Sequence, residues 1–284
     1  MTPANQSPDS QSPDLRDFSG LLVLVGAGKM GGALLEGWLR LGLDPHNVVV
    51  LEPAPLPHIT ALTGRGVQLN PDTATLRDAS VMVIALKPQG AAEALAALAP
   101  NISASTLVVS IMAGRTLHFL SAALPRARAM VRAMPNTPAA IGRGITVAVA
   151  RQINAAQRAL ADRVLGATGA VEWIEDEALM DAVTAVSGSG PAYIFLLAEA
   201  LAQAGTTVGL PADLAEQLAR ETIAGSGELL HRSREHPAAL RENVTSPGGT
   251  TAAALAVLMG PNGLPELLTK AIAAATARSR ELDA

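Results

Sequence analysis

At 284 residues and 49% hydrophobic content, the chain holds enough apolar side chain for a sizeable core and divides most naturally into two domains. A net charge of -4, with no run rich in Lys and Arg, argues against a nucleic-acid backbone or an anionic membrane as a natural partner. The absence of cysteine excludes disulfides, thiolate nucleophiles and Cys-ligated metals, so redox chemistry here requires a bound cofactor.

Residues 1–19 are rich in Ser, Pro, Gln and Asp and have neither a basic start nor an apolar stretch. They read as a disordered tail, not as a secretory signal. No apolar run approaches the roughly 20 residues that span a bilayer, so no membrane is expected and the cytoplasm is the default location. From residue 20 onward, short β-branched runs alternate with Ala/Leu-rich segments: LLVLV (21–25), NVVVL (47–51), VMVIAL (81–86), TLVVS (106–110), ARAMVRA (127–133) and ITVAVA (145–150). That alternation predicts α/β architecture, a parallel sheet with helices on both faces. After VEWIE (171–175) strand signals stop, and long Ala/Leu helices follow, punctuated by SGSGP, GLP, TSPGG and GPNGLP. The expected division is a dinucleotide-binding domain at 20–170 and an all-helical domain at 171–284. Those helices are apolar around more than one stripe, which points to burial against a second chain as well as against the first domain, and hence to a dimer.

Gly26-Ala27-Gly28-Lys29-Met30-Gly31 sits directly after the first strand and at the mouth of a helix. Glycines at this spacing permit a tight turn and let a pyrophosphate approach free backbone amides, so the segment predicts a Rossmann-like, doubly wound dinucleotide fold. Glu52 ends the second strand, where a carboxylate accepts hydrogen bonds from the adenosine ribose hydroxyls and repels a 2′-phosphate. This leans towards NAD over NADP, against the alternative of a solvated acid. Lys87 and Pro88 end the IALKP strand on the carboxyl edge, where ligands of open α/β sheets bind, and Lys87 either contacts cofactor oxygens there or is simply an exposed lysine. Asn136 and Thr137 lie between two prolines in a rigid loop that either positions a nicotinamide amide or is only a turn.

In NVTSPGGTT (243–251), Ser246 reads as an N-cap and Pro247 as the first residue of a helix whose outward amides Gly248 and Gly249 leave uncovered. The stretch is a candidate carboxylate cradle, with hydroxyls from Thr245, Ser246, Thr250 and Thr251 as further donors. The Ser187–Gly190 segment ahead of Pro191 repeats the device, although close helix packing explains its glycines equally well. Asp176 and Glu177 fall in the first turn of another helix, where they offset its dipole. The five histidines have no metal spacing, and no acid–base pair or nucleophile stands out. What remains is hydride chemistry on a small anionic substrate.

From about residue 20 to 282 the chain resembles the pyrroline-5-carboxylate reductases, most specifically in DAVTAVSGSGPAY, GLP and NVTSPGGTT, in that order. The resemblance implies reduction of the ring imine of 1-pyrroline-5-carboxylate to L-proline, the last step of proline biosynthesis, with NADH or NADPH. It places the substrate carboxylate at Thr245–Thr251, with the Thr251 hydroxyl near the ring nitrogen as the catalytic donor. It places cofactor contacts at Val25–Met30, at Ala85, Leu86, Lys87 and Pro88, and at Ile111, Met112 and Ala113, and an acid beside the nicotinamide at Glu177. It further implies a homodimer of interlocked helical halves, with each active site near the interface, and assembly beyond it, to a decamer for instance. A protonated imine already polarises the carbon that accepts hydride, so orientation and electrostatics suffice and no catalytic dyad is required.

Two departures bear on cofactor choice. Glu52 stands where NADP-using members often carry Ser, Asn or a following Arg, and GVQLNPDTATL (66–76) offers Asp72 or Thr73 in place of the family's adenosine-side asparagine. A β-hydroxyacid dehydrogenase would need a catalytic lysine in the helical half, where only Lys270 occurs, near the chain end. A non-catalytic dinucleotide sensor would have no need of the carboxylate cradle.

Overall fold

A computed structural model describes residues 14–283. Strands β1 (Leu21–Val25), β2 (Val48–Leu51), β3 (Gln68–Leu69), β4 (Ala79–Ile84), β5 (Leu107–Ser110), β6 (Met130–Met134), β7 (Gly144–Arg151) and β8 (Gly169–Trp173) form one sheet in the order 3-2-1-4-5-6-7-8. Helices α1 (Lys29–Arg40), α2 (Pro57–Ala61), α3 (Ala91–Leu98), α4 (Leu117–Ala123), α5 (Ala155–Leu165) and α6 (Met180–Val183) complete this part of the chain. The order reverses between β1 and β4, which opens a crevice at their carboxyl ends.

Alternation along the strands builds two cores, because successive side chains point to opposite faces. Leu22 and Leu24 join Leu34, Leu35 and Trp38 of α1 on one face. Val23 and Val25 join Met82, Ile84, Leu95 and Leu120 on the other. Burial on both faces is why these strands read as continuous apolar runs. The fully buried Trp38 ring keeps its polar handle satisfied by donating from Nε1 to the Val164 carbonyl at 2.8 Å, which locks α1 to the end of α5. Gly37 lets the two approach: a Cβ there would lie 2.6 Å from the Ala167 carbonyl oxygen.

The expected parallel sheet has one reversal. Strand β7 runs antiparallel to β6, with Met130 opposite Arg151 and Met134 opposite Val147. The connection through 135–143 holds only the short 3₁₀ turn Thr137–Ile141, too little chain for the crossover of a dozen or more residues that parallel neighbours require.

Two compact units divide the chain, one running to Gly188 and taking back the segment from Ser279, the other spanning Ser189–Arg278. The division falls beyond the expected 170, because β8 pairs with β7 and the turns after it stay with the sheet. Residues 14–19 also belong to the first unit: Leu15 is completely buried and its N–H bonds the Leu41 carbonyl, while Arg163 binds the Asp14 carbonyl and pairs with Asp17. The rest of the expected tail, 1–13, lies outside the described residues.

The second unit contains α7 (Gly190–Thr207), α8 (Ala212–Arg232), α9 (Pro237–Asn243), α10 (Thr250–Leu258) and most of α11 (Leu264–Asp283). Helices α7 and α8 pack through small residues, with Gly205 against Ala215. Among the described residues of this unit only Ala215 and Ala219 are buried. Phe195 and Leu196 are each 63% exposed and Val257 is 77% exposed. By length and composition alone the helical stretch Glu177–Thr207 passes for a membrane span, because Ala and Gly extend its apolar run without bulk.

Candidate functional site

The first unit brings three of the expected cofactor segments onto one ledge. Val25 pairs in register with Ile84, and Ile84 with Ser110, so Val25–Met30, Ala85–Pro88 and Ile111–Ala113 leave adjacent strands at the same carboxyl edge. Backbone bonds join them: Gly26 N–H to the Leu51 carbonyl and Ala85 N–H to the Val25 carbonyl, both at 2.8 Å, and Ile111 N–H to the Ile84 carbonyl at 2.9 Å.

The glycines of the turn differ in what each permits. Gly26 adopts φ +93°, in the left-handed region, and a Cβ would lie 2.7 Å from the Ala85 carbonyl oxygen. Gly31 lies against the Gly26 carbonyl, so a side chain there would collide with backbone. Gly28 is exposed, and a Cβ there would meet nothing within 4 Å. It is the N-cap of α1 and supplies no side-chain cap, so first-turn amides of a twelve-residue helix face a clear space. This is a cradle suited to a pyrophosphate.

Glu52 lies beside that cradle. Its Oε2 accepts the Ala27 N–H at 2.9 Å and its Oε1 the Ala54 N–H at 3.1 Å, so the carboxylate is tied to the glycine turn and is no solvated acid. Lys29 and Lys87 are exposed at the ledge, and Met30, Leu86 and Pro88 are partly buried. Arg115 donates to the Pro88 carbonyl at 3.1 Å, bracing the end of that segment.

Glu177 joins the same edge further along. One carboxylate oxygen accepts both the Leu117 N–H at 2.8 Å and Arg132 Nη1 at 3.0 Å. Arg132 is 5% exposed and pairs in register with Ser110, so a buried arginine paired with a partly exposed Glu177 closes the ledge at β6. Sequence reasoning passed over Arg132, and the only available signal was a charge inside an otherwise apolar strand. Asn136 closes the β6–β7 connection, its Oδ1 accepting the Ile145 N–H at 3.0 Å. Among the described residues, no group of three or more His, Cys, Asp or Glu converges to hold a metal.

The candidate cradle of the second unit departs from the expected helix start. Ser246 is not the N-cap and Pro247 is not helical: α10 begins at Thr250 with Gly249 as its N-cap. Instead Ser246–Gly249 forms a β-turn closed by a 3.0 Å bond from Gly249 N–H to the Ser246 carbonyl, with Gly248 at φ +69°. Pro followed by a left-handed Gly is the signature of a type II turn, and it wins over the capping register. Gly249 is tight in its turn, a Cβ lying 2.5 Å from Ser246 Oγ. Thr245 gives its hydroxyl to the Arg241 carbonyl at 2.6 Å, so it holds the turn in place instead of serving as a free donor. Thr250 and Thr251 occupy the first turn of α10, and this helix too starts on glycine with no side-chain cap.

Comparison with known proteins accounts for both units. Residues 177–282 match a family described as pyrroline-5-carboxylate reductase dimerisation, and residues 21–114 one described as NADP oxidoreductase, coenzyme F420-dependent. A pyrroline-5-carboxylate reductase of Synechocystis is 40% identical over 92% of this chain and 97% of its own. The chain belongs to the pyrroline-5-carboxylate reductase family. A Coxiella burnetii member superposes with a TM-score of 0.87 at 34% identity, covering 93% of this chain and 99% of that one. A Plasmodium falciparum pyrroline carboxylate reductase, solved with NADP bound, gives 0.78 at 28% identity and covers 94% and 99%. The pyrroline-5-carboxylate reductase dimerisation match spans α7–α11, the helices that carry most of the exposed apolar side chains.

Proposed function

We propose that this chain reduces the ring C=N bond of 1-pyrroline-5-carboxylate to L-proline, with NADPH or NADH as donor. The observation that carries the reading is a repeated device: α1 and α10 both begin on a glycine that provides no side-chain cap, leaving two sets of first-turn amides for two anions.

At the first, Gly26–Met30 and the amides of α1 hold the pyrophosphate, while Ala85–Pro88 and Ile111–Ala113 line the edge along which the nucleotide extends. The reduced nicotinamide supplies the hydride. Glu177, braced by Arg132, is the acid at the nicotinamide end of that edge. At the second, the amides following the Ser246–Gly249 turn hold the substrate carboxylate, with Ser246, Thr250 and Thr251 as hydroxyl donors. The Thr251 hydroxyl lies by the ring nitrogen and donates to it as hydride reaches the carbon, when the C=N π pair becomes the nitrogen lone pair that accepts the bond. Fixed amides and hydroxyls need no reorganisation during the step, which suits a substrate that is already electrophilic.

The second unit forms the homodimer, and its remaining apolar surface supports assembly beyond the dimer. The chain works as a soluble cytoplasmic enzyme of proline biosynthesis.

The test is the initial rate of NADH and NADPH oxidation with pyrroline-5-carboxylate, each against a blank without imine. A substrate-dependent rate is expected, and Thr251→Ala should lower kcat about 100- to 1000-fold with cofactor affinity unchanged, as for loss of one donor. Unchanged turnover in that variant removes Thr251 from the chemistry. A protein that binds dinucleotide but shows no rate is a sensor instead.

A further inference from the structure

We infer that Asn70 is a positioning residue for cofactor choice, fixing Glu52 so that this enzyme selects NADH over NADPH; the inference rests on the proposed dinucleotide reading of the β1 edge. Strand β3 pairs with β2 for two residues only, Gln68 with Val49 and Leu69 with Val50. The ladder does not simply stop there. Asn70 turns into the left-handed region at φ +49°, and its N–H bonds the Val50 carbonyl at 2.8 Å. Its side-chain amide then stands in for the next strand residue: Oδ1 accepts the Glu52 N–H at 2.8 Å, and Nδ2 donates to the Glu52 carbonyl at 2.9 Å.

Two bonds on either side of one Cα fix both peptide planes of Glu52 and therefore the direction of its Cβ. The carboxylate is then held at its far end by the Ala27 and Ala54 N–H groups, one on each oxygen. Each carboxylate oxygen has two acceptor sites, so the pair retains capacity for two further donors. A ribose diol offers two hydroxyl donors. A 2′-phosphate offers acceptors and negative charge in the same place. An acid free to swing into solvent would yield to that phosphate; one held at backbone and carboxylate together does not.

If the amide only terminated the sheet, its loss would lower stability and leave cofactor choice untouched. Asn70→Gly isolates the side chain, since glycine accepts the left-handed conformation without strain. The measurement is Kd for NADH and for NADPH by direct titration, with melting temperature, on the wild type, Asn70→Gly, Glu52→Gln and the double variant. The wild type is expected to bind NADH at least tenfold more tightly than NADPH. Asn70→Gly should reduce that ratio at least fivefold, Glu52→Gln should reduce it further, and the double variant should match Glu52→Gln, because Asn70 acts through Glu52.

A wild-type preference for NADPH overturns the inference, as does an Asn70→Gly protein with a lower melting temperature and an unchanged ratio. Should Asn70→Gly fail to fold, Glu52→Gln decides alone, and an unaltered ratio there overturns the inference. Absence of binding by either dinucleotide sinks the reading of the edge itself, a result distinct from loss of selectivity.

Discussion

The two units use the same residue alphabet in opposite ways. In the first, large apolar side chains alternate across a sheet and disappear into two cores; in the second, they stand on helices whose buried described residues are two alanines. A sheet with helices on both faces completes its own interior, whereas the helices of the second unit leave theirs unfinished on the outside. The lesson is that the dinucleotide half is stabilised within one chain and the other half by association.

The comparison breaks most completely at the exposed α7 surface. Phe195→Glu should shift the protein from dimer to monomer in analytical ultracentrifugation and abolish turnover, because a charge would be buried unpaired in the subunit interface. A retained dimer would place the interface elsewhere. In the first unit, Trp38→Ala should lower stability by about 3–5 kcal/mol in urea unfolding, the usual loss for a buried aromatic. Its effect should be independent of protein concentration.

Gly28 sharpens the contrast between fold and function. A Cβ at Gly28 meets no neighbouring atom within 4 Å, so Gly28→Ala should change stability by less than about 1 kcal/mol while dinucleotide affinity falls roughly 10- to 100-fold in the same protein. Equal affinity would show that nothing approaches that amide. Gly248→Ala tests the smallest effect: an L side chain at φ +69° should destabilise by about 1–2 kcal/mol, and calorimetry should detect it without any change in NADH affinity.

Much of this was legible in the sequence because burial on both faces writes a strand as an unbroken apolar run, and because a glycine turn between strand and helix is a local signal. Direction is not written that way. The residues of β7 look the same whether they run with β6 or against it, and only the length of 135–143 carried the answer. At Ser246-Pro247-Gly248 two local codes competed, an N-cap followed by proline and a proline–glycine turn, and the left-handed Gly248 decided for the turn. Arg132 was hidden for a different reason. An arginine in a strand reads as an edge or surface residue until Glu177, 45 residues later, returns beside it. The clamp between Asn70 and Glu52, 18 residues apart, was invisible for the same reason.

Trp38 also bears on how the chain is made. Its hydrogen-bond partner lies 126 residues downstream, at Val164, and the carbonyl of Asp14 waits 149 residues for Arg163. At about 5–20 residues per second on the ribosome, the indole is synthesised roughly 6–25 s before its acceptor exists. For that interval the Trp38 indole lacks its acceptor and its packing against α5, so chaperone capture during synthesis should include residues 30–40 and end once α5 has emerged.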